Sequence, residues 1–231
     1  MTSPLEKEET PAAGAVVGGL PAGRHSLPRE FVLRSQRDRM LDAMAQVCAS
    51  EGYGGATVAA VIAVAGVSRK TFYEQFRDRE DCFVAAYDVI LAQFLGKVIA
   101  AYRQPDLDWP ERVRAAIEAL LAFLAAEPAF ARMCIVEVLA AGERAMQRYS
   151  SAVLALAGLL DEGRAQLPKP DQVPATVAGA LIEGGAFLIR EQILAGRTER
   201  LEALLPDITY AALVPYLGQD EALRTARAGS G

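Results

Sequence analysis

Thr57 to Arg79 reads TVAAVIAVAGVSRKTFYEQFRDR, and the fold follows from how this stretch is punctuated. Thr57 is suited to cap a helix over Val58–Ala65, because its hydroxyl can accept from an orphan N–H of the first turn. Gly66-Val67 then makes a tight turn, glycine supplying a backbone conformation that other residues resist. Ser68 caps a second short helix, Arg69–Phe76. Helix, glycine turn and short helix together form a helix-turn-helix layout. Ala60 and Ala63 are small and three apart, which would let the second helix cross closely. Val67, Phe72 and Phe76 are expected to pack inward.

Ser68, Arg69, Lys70, Thr71, Tyr73 and Gln75 are then left facing outward. That set suits DNA. An arginine can donate two hydrogen bonds to guanine O6 and N7, and a threonine methyl can meet a thymine methyl. Lys70 brings a mobile charge, and Tyr73 a hydroxyl for a phosphate. Thr57 stands at a helix N-terminus, where backbone N–H groups receive phosphates. Arg37, Arg77 and Arg79 are placed to hold the nucleic-acid backbone on either side.

Working outward, Met40, Leu41, Met44, Ala45, Val47 and Cys48 form one apolar stripe at helical spacing. This predicts a helix from Ser35 to Gly52 or Gly54. Asp78 caps a further helix with Glu80 and Asp81 in its first turn, running to about Tyr102. Asp108 with Pro110, and Glu127 with Pro128, open two more. A longer helix covers about 141–165, a loop spans Pro168–Pro174, and helices follow over about 175–196 and from Arg197 to Tyr216. The last dozen residues read as frayed. No segment alternates like a strand, so the fold class is all-α.

The formal net charge of -5 argues against a nucleic-acid binder until it is divided along the chain. Residues 24–79 carry nine Lys/Arg against six Asp/Glu, whereas residues 80–231 carry fourteen against twenty. A basic segment joined to an acidic body can still meet a polyanion. Cys48, Cys82 and Cys134 are far apart in apolar surroundings, so a reducing cytosol is expected and a disulfide framework is not. His25 is the only histidine, which leaves no multi-histidine metal site, and no cofactor or catalytic nucleophile–base pair can be placed. The longest apolar run, Val173–Ile189, contains Pro174 and Glu183 and is too short to span a bilayer, so no membrane partner and a cytoplasmic location are expected.

Residues 37–82 resemble the DNA-binding domain of TetR-family regulators. The resemblance rests on the Thr57 start, the AGVS turn at Ala65–Ser68, Thr71–Tyr73, Phe76 and the acidic start of the following helix. Glu74 departs from the pattern, since a carboxylate beside Tyr73 opposes phosphate contact. The resemblance implies a homodimer, a ligand cavity in the C-terminal part, and effector-controlled release from DNA. It also implies that the last two helices form the dimer bundle. The small residues Ala175, Ala178, Gly179, Ala180, Gly184, Gly185 and Ala186 agree with that, because each interior glycine costs about 1 kcal/mol relative to alanine unless close packing offsets it.

The expected organisation is a tail or basic arm over 1–34, a three-helix helix-turn-helix domain over 35–80, and a larger helical effector-binding and dimerisation domain over 81–221. The candidate DNA contacts are Arg37, Thr57, Ser68, Arg69, Lys70, Thr71, Tyr73, Gln75 and Arg79. The candidate pocket residues are Trp109, Leu120, Phe123, Leu124, Phe130, Met133, Cys134 and Glu183. The expected activity is that of a non-enzymatic transcriptional regulator, a repressor released from a palindromic operator by a small, mainly apolar effector. A helical protein-interaction module with little DNA binding is the alternative.

Overall fold

A computed structural model describes residues 29–228; the tail expected before Arg29 lies outside them. Every regular element among the described residues is helical. α1 spans Arg29–Gly55 and is broken at Gly52, where φ is 71°. It begins six residues before the apolar stripe suggests, so residues 29–34 are helical. α2 (Val58–Ala65), α3 (Arg69–Gln75) and α4 (Arg79–Tyr102) follow closely. α5 (Trp109–Ala126) starts in a capping box, with Asp108 and Glu111 each accepting from the other's backbone N–H. α6 (Pro128–Ile135) leads through a 3-10 turn, Glu137–Ala140, into α7 (Glu143–Asp161). α8 (Val177–Leu194), a second 3-10 stretch (Thr198–Leu204) and α9 (Leu205–Leu217) complete the main bundle.

A tenth helix, α10 (Gln219–Arg227), corrects the expectation of a frayed end. Ala222 and Ala226 are buried at i, i+4 spacing, so packing against the bundle orders a segment whose polar composition hides its apolar face.

Two cores hold the molecule together. The first joins α1, α3, α4, α5 and α6 through Met40, Met44, Cys48, Phe72, Phe83, Leu121 and Met133, each shielded from solvent. The helix-turn-helix therefore shares apolar packing with the body behind it. The second lies toward the far end and contains Val98, Tyr102, Trp109, Val113, Leu160, Leu213 and Tyr216. Of the described helices, α4 is long and apolar enough to cross a membrane. Its Phe83, Tyr87, Ile90 and Val98 are buried in these cores, which accounts for that apolarity.

Candidate nucleic-acid interface and internal cavity

The helix-turn-helix is built as its caps require. Thr57 Oγ1 accepts from Ala60 N at 3.1 Å, and Ser68 Oγ accepts from Thr71 N at 3.0 Å. Gly66 adopts the left-handed conformation, with φ 63° and ψ 41°. Phe72 and Phe76 are buried and pack at a tilt on each other with ring centroids 5.4 Å apart, fixing α3 against α1 and α2. Ala63 departs from the reading: it is exposed, and Val61 and Ala65 are the buried positions of α2.

Anchoring that inner face leaves Ser68, Arg69, Lys70 and Tyr73 exposed together on α3, with Thr57 exposed at the start of α2. Thr71 and Gln75 are half-buried rather than free. Thr71 Oγ1 lies 2.9 Å from Ser68 Oγ, so the two hydroxyls are engaged within the cap. Lys70 Nζ stands 4.0 Å from Glu74 Oε1, a weak exposed pair that a phosphate can displace.

Two of the flanking arginines work inside the protein. Arg79 Nη1 donates to the carbonyls of Tyr53 at 3.2 Å and Gly54 at 3.4 Å, and its guanidinium lies 4.2 Å from the centroid of the Tyr53 ring. Arg37 Nη1 donates to Gln75 O at 3.4 Å and stacks over Phe76 at 4.6 Å. Both bolt the helix-turn-helix to α1, a task that sequence spacing cannot separate from phosphate contact. Arg39, which sequence reading did not single out, is exposed, and its Nη1 lies 3.7 Å from where a Cβ on Gly66 would stand, beside the turn. The signal available was its position on the polar side of the α1 stripe.

Behind this domain, α4 to α9 enclose an apolar cavity of about 140 Å³. Four of the expected pocket residues line it: Leu120, Phe123, Leu124 and Cys134. The other four do not. Trp109 is packed in the second core against Tyr216, with ring centroids 5.3 Å apart, and so close to Gly163 that any Cβ there would collide with the indole. Met133 is fully buried in the first core. Phe130 borders a separate small hollow between α1, α4 and α6. Glu183 is on the exposed side of α8 and accepts from Tyr149 Oη at 2.9 Å.

The lining residues that sequence reading did not name include three tyrosines, Tyr87 and Tyr102 on α4 and Tyr149 on α7. Tyr102 Oη contacts Leu159 O at 2.9 Å and Glu162 Oε2 at 2.6 Å. The Cys134 thiol is pushed up to about 12 by burial, so it is a packed neutral group rather than a reactive one.

Residues 40–86 match the sequence model of the bacterial regulatory proteins of the tetR family. No curated protein sequence matches the chain. The fold is similar to that of the fatty acid degradation regulator FadR from Bacillus halodurans, with TM-score 0.68 and 21% identity over 80% of this chain and 96% of that one. It is also similar to FadR from Bacillus subtilis, solved in complex with stearoyl-CoA, with TM-score 0.66 and 19% identity over 78% and 98% of the two chains. A TetR family transcription regulator from Marinobacter aquaeolei VT8 matches with TM-score 0.62 and 21% identity over 79% and 97%.

Proposed function

We propose, from the premise that residues 40–86 are the DNA-binding domain of a tetR-family transcription regulator, that this chain is an effector-released repressor acting in the cytoplasm as a homodimer on a palindromic operator. α3 enters the major groove, Arg69 and Lys70 meet base edges, and Tyr73 with Thr57 and Arg39 meets phosphates. The observation that carries this reading is α4. It starts at Arg79, three residues after Phe76, and it walls the cavity from Tyr87 to Tyr102. One rigid helix thus joins the DNA-facing domain to the space an effector would fill.

The shape of that space narrows the effector. Fifteen helical steps take the chain from Tyr87 to Tyr102, a span of roughly 22 Å. The lining along it is almost wholly aliphatic and aromatic. An extended single chain fits such a space better than a compact ring system. One similar structure carries stearoyl-CoA, so long-chain acyl compounds are the first class to test. An effector releases DNA only by favouring the state whose recognition helices are wrongly spaced. Fluorescence anisotropy on DNA upstream of the chain's own gene, with a salt series and with long-chain acyl compounds added, tests both halves. Binding unaffected by every apolar ligand that stabilises the protein would reject the effector half alone.

For the dimer, the supporting surface is on α7 and on α8, the first of the two helices expected to form the bundle, and not on α9. Leu154 is 71% exposed and Phe187 and Leu194 are each 54% exposed, which leaves three large apolar side chains in water on these two helices. Nothing stands within 4 Å of where a Cβ on Gly184 would be, which leaves room for a close-packed partner helix. α9, by contrast, is turned inward through Thr209, Ala212, Leu213 and Tyr216.

A further inference from the structure

The cavity contains three tyrosines, and their hydroxyls are not equivalent. Tyr149 donates its proton to Glu183, and Tyr102 has both Leu159 O and Glu162 as acceptors. Tyr87 lines the same cavity and is only 2% exposed, yet its hydroxyl makes no hydrogen bond among the described residues. A hydroxyl without a partner inside the protein is free to bond to a molecule that enters the cavity. Its place is also particular. Tyr87 belongs to the first core with Met40, Met44 and Phe83, at the end of the cavity nearer the helix-turn-helix.

We infer that Tyr87 is the polar anchor of the effector site, donating its hydroxyl hydrogen bond to a neutral oxygen acceptor carried near one end of an otherwise apolar chain. The inference rests on the cavity being the effector site. The acceptor class is a ketone, ester or thioester carbonyl and not a free carboxylate. Burial pushes the Tyr87 phenol far above its ordinary range, so it stays a donor. The charges flanking the neighbouring Tyr149 are Glu183 and Arg190, which offset one another, and Arg190 already donates to Ile135 O at 3.2 Å. The cations that lie against other lining rings, Lys97 over Phe123 and Arg112 over Tyr102, stand further along α4, so no net positive charge compensates the desolvation of a carboxylate at the Tyr87 end.

The test uses the full chain and three twelve-carbon probes, dodecane, 2-dodecanone and dodecanoate, each displacing the neutral fluorophore N-phenyl-1-naphthylamine at pH 8. A neutral hydrogen bond of ordinary net worth makes the ketone bind about two- to tenfold more tightly than the alkane. Dodecanoate binds more weakly than the ketone. Tyr87→Phe makes ketone and alkane equal without weakening the alkane, whereas Tyr149→Phe leaves the ketone preference in place. The ligand-free Tyr87→Phe protein melts no lower than wild type, because it loses an unpaired polar group.

Equal binding of alkane and ketone by the wild type would overturn the anchor and leave the effector cavity standing. So would a ketone preference that survives in Tyr87→Phe, or a preference for dodecanoate. Failure of all three probes to displace the fluorophore would overturn the cavity reading and the anchor with it.

Discussion

The carboxylate of Glu137 accepts a hydrogen bond from the backbone N–H of Tyr53 at 2.7 Å, linking positions 84 residues apart in the chain. Its other oxygen pairs with Arg132 Nε at 3.0 Å. Tyr53 carries Arg79 on one side of its ring and meets Phe83 edge-on, with centroids 5.1 Å apart. Glu137 follows α6 by two residues, and Cys134 and Ile135 of α6 line the cavity. The contact therefore ties the cavity wall to the end of α1.

Removing that acceptor leaves a buried N–H unpaired and a cation uncompensated. Glu137→Ala is expected to destabilise the protein by about 1–3 kcal/mol. Glu137→Gln keeps an acceptor and should cost less. Urea unfolding of the two variants checks the order; equal stability of Glu137→Ala and wild type would show the contact to be idle.

Arg69 and Arg79 separate the two kinds of arginine. Arg69→Ala should weaken operator binding by about 1–3 kcal/mol with the melting temperature unchanged. Arg79→Ala should lower the melting temperature, because Tyr53 and Gly54 lose the donor to their carbonyls. An equal loss on operator and random DNA would mean that Arg69 touches only phosphate.

The assembly prediction concerns α7 and α8. Leu154→Glu combined with Phe187→Glu places charge on the exposed apolar surface without touching either core. The variant should sediment as a folded monomer and bind operator more weakly. Gly184→Leu should act the same way. A wild-type chain that is monomeric at micromolar concentration would refute the dimer.

Acid stability should depend on Asp81. Hydrogen bonding from Arg144, at 2.8 Å, holds its carboxyl well below the ordinary value of 3.8, helped by Arg77 and opposed by partial burial. A depressed carboxyl contributes stability that is present above its unfolded value and lost as pH falls through its folded one. Asp81→Asn should therefore be less stable than wild type near pH 7, with the gap closing below about pH 4. Urea midpoints measured from pH 7 to 2 decide it; a constant gap across that range would mean that the charge is not the cause.

Much of the N-terminal domain was legible because its signals are local. Thr57, Ser68 and Asp78 each cap a helix within its own first turn, so the starts of α2, α3 and α4 follow from a few adjacent residues. Periodicity also identified the buried face of α3, since Phe72 and Phe76 lie one turn apart. What stands opposite an apolar face is not written locally. Phe123 and Met133 carry the same sequence signal, yet Phe123 borders the cavity and Met133 is sealed in core. Arg69 and Arg79 carry the same charge, and only the approach of Tyr53 and Gly54 turns Arg79 inward. α10 becomes a helix because the bundle offers a surface for Ala222 and Ala226. The chain itself determined where helices start and which residues leave water; the tertiary structure decided which apolar faces meet each other and which meet empty space, because packing depends on partners distant in sequence.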